Sequence, residues 1–345
     1  MNNNITDVLI IGSGPAGIFA SFQCGCFNLK TIIIDTIDTI GGQCIELYPE
    51  KKIFDIPGFL NITGKDLIQN LINQAAKFKP QYILSNQVID VNINENNEYR
   101  FTIKTDKNLI IQAKAIIMAT GSGAFQYNKL PLSNAIEFEN KTLFYKIDNI
   151  EKFRNKNVAI IGGGDSAIDW TLELLDIANN ITIIHRRDIF KAINSNIDIL
   201  HNHINKNNGK INKFTPFILK EIIGKNGIIE KIIIKNLDNS IEQELYCDYL
   251  LTFFGLINDN KLISKLSLDK TKQNNINVNI STMETNIKGV FCIGDACFYN
   301  GKQKLILSSF HEASMAVHNA TLLITKKNTI HFEHSTSLEC FADGV

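Results

Sequence analysis

Short apolar runs that end in glycine punctuate the chain. Val8-Leu9-Ile10-Ile11 shows no alternation with polar residues and stops at Gly12, the pattern of a strand buried on both faces. Pro15 to Phe27 then predicts a helix, and Thr31-Ile32-Ile33-Ile34 a second buried strand. Strand, helix and strand in that order begin a βαβ unit. Asp66 to Phe78 carries apolar residues at Leu67, Ile68, Leu71, Ile72 and Ala75, a helical period. Residues 83–113 alternate as short strands with a turn at Asn94 to Asn97, and Ala115-Ile116-Ile117-Met118 is another buried strand that runs into Gly121 and Gly123. The opening pattern then recurs. Val158 to Ile161 predicts a strand, Gly162-Gly163-Gly164 a turn, Ser166 to Ile177 a helix and Ile181 to Ile184 the next strand. Residues 210–245 predict antiparallel strands with turns at Lys225-Asn226-Gly227 and Asp238-Asn239. Val290-Phe291-Cys292-Ile293 is one more buried strand, and Leu305 to Leu323 a helix, before a polar, irregular tail from Thr329.

The fold class that follows is α/β, with two Rossmann-like dinucleotide-binding domains of the three-layer ββα type. A length of 345 residues suits about two domains. Basic and acidic residues balance at 35 each, which argues against an extended nucleic-acid or membrane footprint. No apolar run approaches the ~20 residues of a membrane span, and Met1 to Thr6 is too short and polar to head a signal peptide. The seven cysteines are odd in number, and no two form C-x-x-C, so a disulfide scaffold or structural zinc site is disfavoured. A cytoplasmic protein with reduced thiols is expected.

The glycines carry the chemistry. Gly12-Ser-Gly14-Pro15-Ala16-Gly17 is G-x-G-x-x-G after a strand and before a helix. The first glycine allows the tight turn, the second lets a pyrophosphate approach the backbone, and the third packs helix on strand. The pyrophosphate then meets a positive helix N-terminus. Asp35 ends the following strand, where a carboxylate hydrogen-bonds ribose hydroxyls. Gly162-Gly-Gly164-Asp165-Ser166-Ala167 is a second copy, with alanine in the third slot. Asp35 lies 23 positions after Gly12, and His185 lies 23 positions after Gly162. The acidic residue is thus replaced by His185, followed by Arg186 and Arg187, with Lys191 a turn further on. A carboxylate there would repel a ribose 2′-phosphate, whereas guanidinium groups pair with it bidentately. The second site reads as NADP(H). Two such sites in one chain suggest a flavoprotein, with FAD in the first. Ala119-Thr120-Gly121 suits the join between nucleotide domains, and Asp295 after Gly294 can bind a polyol such as a ribityl chain. Because Gly294-Asp295 follows the second fingerprint, the FAD domain is discontinuous: residues 1–121 and 249–345, with an NADPH domain at 122–248.

These motifs, together with Gly41-Gly-Gln43-Cys44, Leu47-Tyr48-Pro-Glu-Lys51, His185-Arg-Arg-Asp188, Gly294-Asp-Ala296 and His334-Ser335-Thr336-Ser337, give the chain a near end-to-end resemblance. It resembles the thioredoxin-reductase-like flavoproteins, and among them the ferredoxin–NADP⁺ reductases of that type. The resemblance implies that Gln43 approaches the flavin edge and Tyr48 stacks on one ring face. It implies that His334 covers the other face, reaching across a homodimer, with Thr336 or Ser337 near flavin N5 and Ser335 beside them. Val88 and Phe125 complete the expected cofactor-binding set. The implied catalytic residues are Tyr48, His334 and Ser337. The implied reaction is hydride transfer from NADPH to flavin N5, with one-electron steps to ferredoxin or flavodoxin.

Departures from the family pattern matter too. Lys191 stands where arginine is frequent, and Cys44 where an apolar residue is usual. The stretch that holds the redox C-x-x-C in thioredoxin reductases is here Gly163-Gly-Asp-Ser166, without a thiol. Cys24 and Cys26 are two apart on a helix and do not face each other. Alternatives remain: a disulfide reductase using a non-standard thiol such as Cys44, or a flavin-bound sensor of low turnover. Ferredoxins are typically acidic, so Lys51-Lys52 and Lys302 with Lys304 are candidates for a basic docking patch.

Overall fold

The computed structural model describes residues 4–121, 123–205, 209–259 and 265–330, with the backbone alone for 124–127 and 256–259. The chain divides into two compact units, residues 1–125 with 258–345, and residues 126–257.

The first unit opens with β1 (Asn4–Ile11), α1 (Pro15–Cys26) and β2 (Thr31–Ile34). β1 and β2 pair in parallel from Val8 opposite Thr31 to Ile11 opposite Ile34. Next come α2 (Gln43–Glu46), the short hairpin β3 (Lys52–Ile53) and β4 (Ile62–Thr63), α3 (Gly64–Ala76) and β5 (Gln81–Ile83). The Thr63 side chain accepts a hydrogen bond from the Asp66 backbone N–H at 3.1 Å, an N-cap that starts α3 three residues before its first apolar position, Leu67. A meander follows of β6 (Val88–Ile93), β7 (Phe101–Thr105) and β8 (Ile110–Met118), giving the strand order β5-β2-β1-β8-β7-β6. Side chains alternate across β1. Val8 and Ile10 pack with Ala16 and Ala20 of α1, while Leu9 and Ile11 pack with Phe101 and Ile103. Helices therefore cover one face and the meander the other, which is the expected three-layer arrangement.

The chain leaves this unit along β9 (Ala124–Tyr127). The second unit contains α4 (Ala135–Phe138), β10 (Leu143–Phe144), β11 (Asn157–Ile161), α5 (Asp165–Glu173), β12 (Asn180–Ile184), α6 (Asn194–Asn205) and β13 (Ile211–Phe214). β14 (Phe217–Lys225), β15 (Ile228–Asn236), β16 (Glu242–Tyr246) and β17 (Tyr249–Thr252) follow. The parallel sheet runs β10-β17-β11-β12-β13, and β14-β15-β16 is an antiparallel meander. The layering of the first unit recurs. Val158 and Ile160 pack with Trp170 and Leu174, whereas Ala159 and Ile161 pack with Ile222, Ile232 and Ile234.

Three expectations change here. Ile211–Phe214 is parallel to β12, not antiparallel, because its register places Ile211 opposite Ile181 and packs it with Ile183 and Leu200. The expected border at 248/249 falls before a strand of the second sheet. Leu250 and Leu251 pair with Ala159 and Ile160 on one side and with Leu143 and Phe144 on the other, so 249–257 belong to the second unit. The helix α6 was not foreseen, since its asparagine-rich sequence offers only Ile197, Leu200 and Ile204 toward the core.

The chain returns along β18 (Leu256–Asp259) and β19 (Ile276–Asn277) to β20 (Val290–Cys292), which pairs in parallel with β8 from Val290 opposite Ile116. One helical turn at Gly294–Ala296, β21 (Cys297–Phe298) and α7 (Ile306–Thr325) complete the described chain. Small residues Ala313, Ala316 and Ala320 let α7 lie close over the helical face of the first sheet.

Candidate functional site

Gly12 ends β1 at φ +110°, and a Cβ there would lie 2.2 Å from the Ala119 carbonyl oxygen. A Cβ on Gly17 would lie 2.0 Å from the Gly12 carbonyl oxygen. These two glycines are required by protein packing alone. Gly14 differs: no protein atom comes within 4 Å of where its Cβ would stand. It caps α1 with no side-chain hydrogen bond and no acidic residue in the first turn. The first N–H groups of α1 are left for an anionic partner. The chain thus keeps open space and unspent donors where a pyrophosphate would sit, so the residues fit a dinucleotide.

A cleft of ≈ 1290 Å³ open to solvent runs from this turn. Of the residues expected to bind the first cofactor, Gly12, Gly14, Pro15, Ala16, Asp35, Gln43, Tyr48, Val88, Ala119, Gly121, Gly294 and Asp295 line it together. Gly17 lies behind it, as its packing role requires. Asp35 is oriented before any ligand arrives. Its Oδ2 accepts from the Ser13 N–H at 2.6 Å and the Ser13 hydroxyl at 2.7 Å, and its Oδ1 from the Ile37 N–H at 3.2 Å. Thr36, Ile37, Asn86, Gln87 and the start of α7 also line the cleft and were not foreseen. Leu305 caps α7 without a side-chain hydrogen bond, so a second helix N-terminus opens here. The helix start itself was expected at Leu305; its place on the cleft depends on tertiary packing and was not.

Cys44 lies beneath Tyr48 and donates its thiol to the tyrosine hydroxyl at 3.6 Å. Burial first pushes the Cys44 thiol up to about 11, and burial likewise raises the Tyr48 phenol far above its ordinary value. Both stay protonated at neutral pH. Cys44 is only 1% exposed and is a packed side chain, not a thiolate nucleophile.

Behind Asp295 lies an ion pair that sequence alone did not reveal. Glu312 of α7 is 1% exposed and the Lys302 side chain 2%. Oε2 of Glu312 accepts from the Gly294 N–H at 2.8 Å and from the Cys297 thiol at 3.5 Å. Oε1 accepts from the Tyr299 hydroxyl at 2.8 Å and from the Lys302 ammonium. Lys302, expected at a surface docking patch, is thus a buried partner of Glu312. The turn that presents Asp295 hangs on this carboxylate.

The second glycine turn repeats the first with one change. Gly162 sits at φ +156°, hemmed in by the Phe253 carbonyl oxygen and the Ala167 Cβ at 2.8 and 2.9 Å. Gly164 caps α5 without a side-chain bond, and nothing but the Lys191 carbonyl oxygen, at 3.9 Å, approaches its Cβ position. A Cβ on Gly163 would strike the His185 ring at 2.3 Å. His185 is stacked on Phe190, centroids 5.6 Å apart. Burial, then the charges of Arg186 and Arg187, lower its pKa. The imidazole is therefore neutral at pH 7, and the two exposed guanidiniums carry the positive charge. Lys191 is brought to the turn by its backbone, whose N–H donates to the Gly163 carbonyl at 2.6 Å. Asp165 accepts from the Ile193 N–H at 2.8 Å, fixing the same loop, while Ser166 stays exposed beside it and Ala167 packs inward. His334, Ser335, Thr336, Ser337 and the Phe125 side chain lie outside the described residues. Among the described residues no cluster suits a metal ion, and no helix is long and apolar enough to cross a membrane.

Two sheets with parallel strands at their centres, each with a glycine turn opening a helix, define a protein with two nucleotide-binding folds. The chain belongs to the pyridine nucleotide-disulphide oxidoreductase family, whose model it matches over residues 6–321. Similar proteins include the ferredoxin–NADP reductases of Rickettsia akari (strain Hartford) and Rickettsia typhi (strain ATCC VR-144 / Wilmington). They are 45% and 46% identical over 332 residues, covering 96% of this chain and 97% of each relative. Among solved structures, the thioredoxin reductase of Lactococcus lactis in its FR conformation superposes with a TM-score of 0.71 at 26% identity, covering 93% of this chain and 99% of its own. That of T. acidophilum shares the fold at TM-score 0.71 and 23% identity, covering 92% and 98%. FAD and NADP(H) are the nucleotides of this oxidoreductase.

Proposed function

We propose that the chain is a ferredoxin–NADP⁺ reductase, moving electrons between NADPH and ferredoxin or flavodoxin as a cytoplasmic homodimer. The observation that carries this reading is the pairing of two unlike nucleotide turns. The first unit offers the cleft with Asp35 and Asp295; the second offers Arg186 and Arg187 where a carboxylate would otherwise stand. The nearly full-length likeness to ferredoxin–NADP reductases supports the choice of acceptor.

FAD, when bound, supplies the hydride and electron chemistry, and the protein supplies binding and orientation. In this reading residues 1–125 with 258–345 form the FAD-binding unit, and residues 126–257 the NADPH-binding unit. Gly14 and the α1 N–H groups hold the pyrophosphate, Asp35 a ribose, and Asp295 the polyol. Tyr48, kept neutral by burial, presents an uncharged aromatic face to the ring. Gln43 lies at the same end of the cleft, on α2. At the second turn Arg186 and Arg187 grip the 2′-phosphate, with Lys191 adjacent.

Disulfide reduction is disfavoured by the thiols. Among the described residues, Cys24, Cys44, Cys247, Cys292 and Cys297 form no disulfide. Burial pushes Cys247 and Cys297 up to about 12 and Cys24 higher still. Steady-state turnover separates the readings: NADPH-driven reduction of cytochrome c through ferredoxin is expected, and thioredoxin reduction is not. Cys44→Ser should leave ferredoxin turnover at the same order. Thioredoxin turnover without ferredoxin turnover, abolished by Cys44→Ser, would reverse the assignment.

A further inference from the structure

We propose that the groove beside Tyr48 is the docking surface for an acidic one-electron carrier protein. The inference deepens the activity proposed above and rests on it. The groove is walled by Tyr48, Lys51, Lys52, Phe54 and Asp55 on one side and by Lys304, Leu305 and Ile306 on the other. Some 250 residues of sequence separate the two lysine groups, and the fold brings them to one site. Tyr48, Lys304, Leu305 and Ile306 also line the cleft, so the groove opens from the end where the flavin ring is expected. A redox partner must bring its centre close to that end, because electron transfer falls steeply with distance.

The surface has the composition of a recognition patch. The eight-residue connection between β3 and β4, Phe54 to Asn61, is pinned by Ile56, 5% exposed, and Ile62, 7% exposed. It nevertheless lifts Phe54, Phe59 and Leu60 out of the core, at 70%, 45% and 95% exposure. Three large apolar side chains exposed within seven residues exceed the scattered single exposures of an ordinary surface. Around the groove three lysines face one acid, Asp55, in a chain whose net charge is zero. An apolar centre with a basic rim fits a partner with an acidic rim and an apolar edge over its redox centre. Lys302 takes no part, since it is spent on Glu312.

The test uses the holoenzyme, a purified acidic [2Fe–2S] ferredoxin, and a variant carrying Lys52→Glu with Leu60→Asp, neither of which lines the cleft. Ferredoxin KM should rise roughly tenfold or more, and ferredoxin affinity measured without NADPH should fall in step, because a reversed rim charge repels the partner. Reduction of ferricyanide by NADPH, which needs no docking, should stay unchanged. An unchanged ferredoxin KM and affinity overturn the docking surface and leave the activity standing. Loss of a dimer in sedimentation, with ferredoxin affinity unchanged, overturns it in favour of a second copy of this chain. A wild-type protein that neither binds nor reduces ferredoxin overturns both readings at once.

Discussion

Replacing Glu312 by alanine should cost about 3–5 kcal/mol of stability, the range for removing one partner of a buried ion pair. The carboxylate has four donors: the Gly294 N–H, the Cys297 thiol, the Tyr299 hydroxyl and the Lys302 ammonium. Its loss leaves Lys302 charged at 2% exposure and frees the turn that carries Asp295. Urea unfolding of the flavin-free protein should show the loss directly. Glu312→Gln should cost less, since the amide oxygen still accepts but cannot answer the ammonium. The pair Lys302→Met with Glu312→Leu should recover much of the stability, as apolar replacements of buried ion pairs commonly do. It should not recover flavin retention, because the Gly294 N–H stays unanchored. A Glu312→Ala protein as stable as the parent would mean that the pair is solvated in solution.

Replacing Arg186 and Arg187 together by alanine should lower kcat/KM for NADPH about 10²- to 10⁴-fold. Each hydrogen bond to a charged group contributes about 1.5–3 kcal/mol, and about 1.4 kcal/mol is a factor of ten. The value for NADH should change little, so the cofactor preference collapses. Both arginines are exposed at the end of β12, so the fold should survive. His185 should not take over their role, since its ring is packed between Gly163 and Phe190 and kept neutral. A variant that still prefers NADPH by the original ratio would remove the 2′-phosphate from this site.

Much of this was legible in the chain itself. The equal offset of Asp35 and His185 from their glycines marked two like βαβ turns. The cleft then gathered Gly12, Asp35, Tyr48 and Asp295 as their positions predicted. What was hidden depended on tertiary partners. Tyr249–Thr252 looks alike in either sheet, and only pairing with Asn157–Ile161 and Leu143–Phe144 decides between them. Lys302 and Lys304 are equally basic as letters, yet one is buried against Glu312 and the other reaches the groove. The start of α7 was legible at Leu305, but its opening into the cleft was not, because that depends on where the helix packs.

One chain is expected to pass electrons from NADPH through FAD to ferredoxin. The most direct test is the visible spectrum of the purified protein under anaerobic conditions. The as-isolated protein should show an oxidised flavin band. Stoichiometric NADPH should bleach it within seconds, NADH should not, and oxidised ferredoxin should then restore it. A flavin that NADPH leaves oxidised, or that is bleached but restored by thioredoxin and not by ferredoxin, would rule out this electron path.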